Sequence, residues 1–192
     1  MQVKEIEAFY EICSREKENV IRQEWERLWN AFIEEKEEEY SRTSYEEGTK
    51  KLVSEANYSL RRHVPSSKAL GFDVKEGDIC YVDFGLAYLY EAGYQHFGLV
   101  IKIEHFKALI IPMTSNSRTY RKSFTDKGTY LFPLGTIDGL YKESVLFLND
   151  AKFINTARVI DIKAHIPPES KLFKDIKNRL KQLVFDYVRQ QL

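Results

Sequence analysis

The sequence predicts an α+β protein in which a charged helical arm precedes a small, strongly curved β-sheet or barrel, closed by a C-terminal helix. Three observations predict it. From residue 3 to about residue 60, apolar side chains recur at three- and four-residue steps, the helical period. Between Ile79 and Ile162 the period changes to short β-branched and aromatic runs, several within about ninety residues. After Pro167 and Pro168 a one-sided apolar stripe returns.

In the arm, Ile6, Phe9, Tyr10 and Cys13, then Trp25, Leu28, Trp29, Phe32 and Ile33 form one face, and Glu, Lys and Arg the other. Ser41 to Ser44 breaks the run. Ser44 can cap a second helix with Glu46 and Glu47 in its first turn, where the helix dipole favours anions. That helix carries Leu52, Val53, Ala56 and Leu60 as its apolar positions. Trp25 and Trp29, one turn apart, suggest packing against the body of the protein or a partner. His63 to Phe72 contains Pro65, two serines and Gly71 and reads as a linker. The expected division is therefore a helical extension over 1–65 and a β domain over 73–192.

The expected strands are Ile79–Phe84, Gly98–Ile103, Lys107–Met113, Tyr130–Pro133, Ser144–Leu148 and Arg158–Ile162. Glu104, His105 and Phe106 turn one hairpin. In the last helix Leu172, Phe173, Ile176, Leu180, Leu183, Val184 and Tyr187 share a face that should lie on the barrel and close its core.

Composition narrows the class of protein. Of 192 residues, 43% are hydrophobic and 30% charged, which suits a folded globule and not a disordered chain. No apolar run approaches the roughly 20 residues of a membrane helix. The acidic, amphipathic N-terminus is unlike a secretory signal, so a cytoplasmic location is expected. Cys13 and Cys80 share no metal-ligand spacing and read as reduced core thiols. The zero net charge is unevenly spread. Residues 1–55 carry 15 Glu against 9 Lys and Arg, whereas residues 56–192 carry 20 Lys and Arg against 14 Asp and Glu. A basic domain with an acidic appendage suits a polyanion site whose field the arm partly offsets, although Glu-rich helices also serve solubility.

The chain has no phosphate loop, HExxH, paired-cysteine metal site or GxSxG elbow. Its candidates lie at strand ends and in loops. The long loop Gly85–Gln95 holds Tyr88, Tyr90 and Tyr94, which can stack on unpaired bases or pack on the barrel edge. His96 follows it. A neutral imidazole can take a proton from a ribose 2′-hydroxyl, and an imidazolium can protonate a leaving 5′-oxygen. At the end of an apolar strand, Thr114 and Ser115 offer hydroxyls. Arg118 and Arg121 offer cationic forks for phosphate, and Lys122 a point charge.

Four segments in order, GDICYVDFG (Gly77–Gly85), GYQHFGLVI (Gly93–Ile101), IIPMTSNS (Ile110–Ser117) and SVLFLNDAKFINTARV (Ser144–Val159), resemble the MazF/PemK/Kid toxins. These are endoribonucleases of toxin–antitoxin systems. The ToxN/AbiQ-type toxins are similar around the Thr–Ser pair. The resemblance covers about residues 75–190 and implies an SH3-like barrel. It also implies RNA cleavage without metal or other cofactor, by 2′-hydroxyl attack on the adjacent phosphorus. The implied partners are single-stranded RNA, a protein or RNA antitoxin, and a second copy of the chain. The Thr–Ser pair corresponds to Thr114 and Ser115, and the basic residue that follows it to Arg118. Lys152 corresponds to a position near the RNA groove. His96 stands where the MazF/PemK branch has an arginine, so proton transfer at His96 goes with charge stabilisation by Arg118 or Arg121. The alternative is a non-catalytic RNA- or protein-binding module on the same barrel.

Overall fold

A computed structural model describes residues 3–13 and 17–186. The chain divides into two compact units, 1–49 and 50–192. The first contains α1 (Val3–Cys13), α2 (Glu18–Arg42) and the first turn of α3 (Tyr45–Arg61). The Ser44 hydroxyl accepts from the Glu47 N–H at 3.3 Å, the cap expected between α2 and α3. Phe9 of α1 packs on Trp25, whose ring stacks on Trp29 with centroids 6.1 Å apart, and Phe32 follows. Both indoles remain about half exposed, so they form an aromatic ladder along α2 and are not sunk in a core. Cys13 is also exposed: α1 buries none of its described residues, and the expected core thiol is a surface one.

The second unit is a seven-stranded antiparallel sheet: β1 (Asp78–Asp83), β2 (Gln95–Glu104), β3 (Lys107–Thr114), β4 (Leu131–Gly135), β5 (Ser144–Phe147), β6 (Lys152–Asn155) and β7 (Val159–His165). The order is β4-β5-β3-β2-β1-β7, with β6 also on β3. One edge of β3 is shared. Its last residues, Met113 and Thr114, pair with β5, and Lys107 to Ile110 pair with β6. The two partners leave that edge at different heights, which curls the sheet. A bulge between Val100 and Lys102 of β2 adds twist.

Alternation along the central strands feeds two cores. Ile79, Leu99, Ile101, Ile111 and Met113 face one way, against Leu146, Leu148 and the C-terminal helix. Cys80, Val82, Val100, Ala108 and Ile110 face the hollow of the sheet with Phe84, Ile154 and Val159. Burial in that hollow pushes the Cys80 thiol up to about 12, with Asp78 and Asp161 adding negative charge. The C-terminal helix α5 (Lys171–Lys181) starts four residues after Pro167, because Ser170 caps it by accepting from the Phe173 N–H. Phe173 and Ile176 are fully buried. The π-helical turn Gln182–Asp186 then changes the residues per turn and carries Val184 out of the stripe. Tyr187 lies outside the described residues.

Two short elements differ from the sequence reading. Strand β6 buries only Ile154, too little alternation to reveal a strand. The rim after β3 is a six-residue helix, α4 (Ser117–Lys122). The segment read as a linker is tied to the sheet: the Ser67 N–H donates to Thr156 Oγ1, and Asn155 Nδ2 donates to the Pro65 carbonyl.

Helix α3 turns its polar side inward. Leu52, Val53, Ala56 and Leu60 are exposed, whereas Ser54 is buried and Asn57 and Arg61 half-buried. The cause is Asp83, a buried carboxylate at the end of β1. It accepts from Ser54 Oγ at 2.6 Å, Asn57 Nδ2 at 3.0 Å, the Gly85 N–H at 3.0 Å and Gln95 Nε2 at 3.4 Å. Arg61 Nη1 donates to the carbonyls of Ala157 and Val159. A buried anion needs donors more than a helix needs its apolar face covered.

Asp83→Ala leaves these donors without their acceptor, and we expect it to cost about 3 kcal/mol in urea denaturation. In the native protein at pH 8, iodoacetamide should label Cys13 and spare Cys80, whose thiol stays protonated. Mass spectrometry should find one adduct before unfolding and two after it.

Candidate active site

The end of the sheet where β1 and β3 finish and β2 begins gathers the polar candidates. Val82 of β1 pairs with His96 of β2, and Phe97 pairs with Met113 of β3. Continued by one residue, the second register sets His96 across from Thr114. Phe97 and Met113 face the core under α5. Alternation therefore puts His96 and Thr114 on the other face, where the hollow gives way to solvent. His96 is exposed and Thr114 half-buried.

Local bonds set the chemistry of each group. His96 Nδ1 lies 2.6 Å from the Gly93 carbonyl. A carbonyl only accepts, so Nδ1 carries the hydrogen, and Nε2 of the neutral ring is free to take a proton. Thr114 Oγ1 accepts from the Asn116 N–H at 3.2 Å, which leaves its hydroxyl proton to donate elsewhere. Asn116 caps α4, its side chain accepting from the N–H groups of Arg118 and Thr119, each at 3.0 Å. Ser115 is exposed between strand and cap.

Helix α4 presents Arg118 and Arg121 to solvent, and neither guanidinium has a protein partner among the described residues. Lys122 is held: its Nζ donates to the Tyr130 hydroxyl at 2.6 Å and lies 5.0 Å from the ring centre. On the other side of α4, Tyr120 packs edge-on against Phe124. Desolvation and the Glu143 carboxylate raise the Tyr120 phenol above its usual range, so it anchors α4 as a neutral donor.

The tyrosine loop is closed at its feet. The Phe84 N–H donates to Tyr94 O at 2.7 Å, and the Tyr94 N–H to Gly85 O at 2.6 Å. Between them the Ala92 N–H reaches Asp150. Tyr88 and Tyr90 are 87% and 94% exposed, and Tyr94 is half-buried. Tyr90 and Tyr94 hold left-handed backbone conformations, φ 73° and 52°, which cost energy for residues with a side chain. Two wet rings on a strained loop suit stacking on a partner better than packing on the sheet edge.

Lys152 stands apart. It pairs with Ile110, four residues back along β3 from Thr114, or about 13 Å at strand rise. Its Nζ is 2.8 Å from Asp150 and lies over the Phe84 ring. A carboxylate therefore competes with any phosphate for its charge.

The sequence reading did not find the polar side of α3. Ser54, Asn57 and Arg61 lie on one helical face at steps of three and four, a signal that was present but looked like an ordinary solvated face. With Tyr58, Arg62 and Arg158 they line a cleft of about 580 Å³ beside Asp83, Phe84, Gly85 and Leu86. Among the described residues no cluster of three or more His, Cys, Asp or Glu could hold a metal ion, and no helix is long and apolar enough to cross a membrane.

No protein family matches the chain by sequence profile. A comparison with curated proteins likewise found no match. Among solved structures, MazF (Form-I) from Deinococcus radiodurans is similar at 14% identity and a TM-score of 0.45, the match covering 59% of this chain and 97% of that one. The MazE–MazF structure (Form-II) from the same organism is similar at 15% identity and a TM-score of 0.42, over 59% and 96% of the two chains.

His96 and its bond to Gly93 lie at the surface, so His96→Ala should change unfolding free energy by less than about 1 kcal/mol in urea titration. A change in activity in that variant then reports chemistry and not folding.

Proposed function

We propose that the chain is a toxin endoribonuclease that cleaves single-stranded RNA without a metal ion. The observation that carries this reading is the register that sets His96 beside Thr114, with the unpaired guanidiniums of Arg118 and Arg121 on the helix that follows. The resemblance of the four sequence segments to the MazF/PemK/Kid toxins points the same way, and the net positive charge of residues 56–192 suits a polyanionic substrate.

In this reading Nε2 of His96 takes the proton from a ribose 2′-hydroxyl. The 2′-oxygen bonds to the adjacent phosphorus as the bond from phosphorus to the 5′-oxygen breaks. The leaving oxygen, on the opposite side of phosphorus, takes its proton from water at this exposed site, and His96 returns its own proton to solvent. The products are a 2′,3′-cyclic phosphate and a 5′-hydroxyl. Thr114 donates its free hydroxyl hydrogen to a non-bridging phosphate oxygen, and Ser115 orients the chain beside it. Arg118 and Arg121 stabilise the charge of the phosphorane. Tyr88, Tyr90 and Tyr94 stack on bases flanking the cut, and Lys122 contacts the backbone. An antitoxin silences the enzyme by covering this rim.

The purified chain should cleave mixed-sequence single-stranded RNA in excess EDTA and leave cyclic phosphate ends. His96→Ala should lower kcat by about 10²–10⁴, and Arg118→Ala by about 10²–10³. RNA that is bound but never cut, by wild type and His96→Ala alike, would move the assignment to a binding module on the same sheet.

A further inference from the structure

The cleft beside α3 lies outside the site described above, and its chemistry is distinctive. Three arginines line it, and none has a carboxylate partner among the described residues. Arg61 spends two N–H groups of its guanidinium on the Ala157 and Val159 carbonyls and keeps three. Arg158 spends one on the Phe84 carbonyl, at 2.8 Å, and keeps four. Both forks are thus fixed in place while most of their donors stay unused. The Arg62 guanidinium makes no hydrogen bond among the described residues and lies over the Tyr58 ring, 5.9 Å from its centre. The acidic lining, Asp83 and Glu55, offsets two of these three charges and leaves one positive. Asp83 is occupied by Ser54, Asn57, Gln95 and the Gly85 N–H, and Glu55 is an exposed residue of the wall.

The cleft's size and its neighbours suit a nucleotide. About 580 Å³ accommodates one nucleotide. Fixed guanidinium forks suit phosphate oxygens, and Tyr58 offers a ring for a base. Across the end of the sheet the order is Thr114 of β3, His96 of β2, Val82 of β1 and Val159 of β7. Arg158 directly precedes Val159, so it stands two strand spacings from His96, about 10 Å. Phe84, Gly85 and Leu86, at the foot of the tyrosine loop, also line the cleft.

We propose that this cleft is a second RNA subsite, in which Arg61, Arg62 and Arg158 hold the phosphates of a nucleotide one or two positions from the scissile bond and Tyr58 stacks on its base. The proposal rests on the ribonuclease reading for its substrate, and the test separates the two.

The full chain is titrated with a fluorescein-labelled, mixed-sequence RNA 12-mer across a salt series in EDTA. Anisotropy is read in a His96→Ala background, and cleavage is scored with wild type. Adding Arg62→Ala and Arg158→Ala should weaken Kd by tenfold or more and lower the slope of log Kd against log salt by about two, one per phosphate contact. Arg62→Ala alone removes an exposed side chain without hydrogen bonds. It should lower the slope by about one, and it stands as the test if loss of the Arg158–Phe84 bond unfolds the chain in a thermal melt. Cleavage by wild type with unchanged Kd and slope in the variants overturns the subsite and leaves the ribonuclease reading intact. Absence of cleavage together with cleft-dependent binding keeps the cleft as an RNA site and removes the ribonuclease, and with it the placement beside a scissile bond. Failure of wild type to bind RNA, with retention of a hexaglutamate peptide by the cleft, overturns both and makes the ligand an acidic protein segment.

Discussion

A single carboxylate, Asp83, is buried where β1 leaves the sheet, and four donors converge on it: Ser54, Asn57, the Gly85 backbone and Gln95. Burying an anion is costly unless it is hydrogen-bonded. Because these donors come from α3, from the start of the tyrosine loop and from the first residue of β2, satisfying one charge positions three elements. The loop's closing bonds and the placing of His96, one residue after Gln95, follow from that arrangement. So does the cleft, whose wall is the side of α3 that Asp83 draws in.

Much of the architecture was legible because it rests on period. Strands β1, β2, β3 and β7 bury alternate residues in one core or the other, so their runs of Ile, Val and Leu stood out. The hairpin at His105, the Ser44 cap and the buried face of α5 were equally plain. What the pattern could not show is how the ends of elements are paid in hydrogen bonds. Strand β6 has one buried side chain, and α4 depends on Asn116 accepting from two backbone N–H groups. In α3 the usual inference from apolar spacing fails outright. Leu52, Val53 and Leu60 mark a helix correctly but mark its outer side, because the polar demand of Asp83 outweighs them.

The candidate site was legible in part for the same reason. Antiparallel pairing sets His96 across from Thr114 at one end of the sheet, with Ser115 and Arg118 following Thr114 in the chain, and the strand boundaries were readable. Lys152 was grouped with them by sequence resemblance, but it belongs to another level of β3 and is matched to Asp150. The arginines of the cleft were invisible, since their roles depend on which carbonyls fix them, and carbonyls carry no sequence signature.

The two bonds that join Phe84 to Tyr94 and Tyr94 to Gly85 make residues 86–93 a lasso with a knotted neck. Below the neck, strand register sets geometry; above it, the Tyr88–Glu91 turn and the bond from the Ala92 N–H to Asp150 do. Changes of length or side chain between residues 86 and 91 are therefore set apart from the end of the sheet that carries His96, whose own tie to the noose is the Gly93 carbonyl. Such a partition lets the part that reads a ligand diversify rapidly under selection while the part that performs chemistry stays as it is.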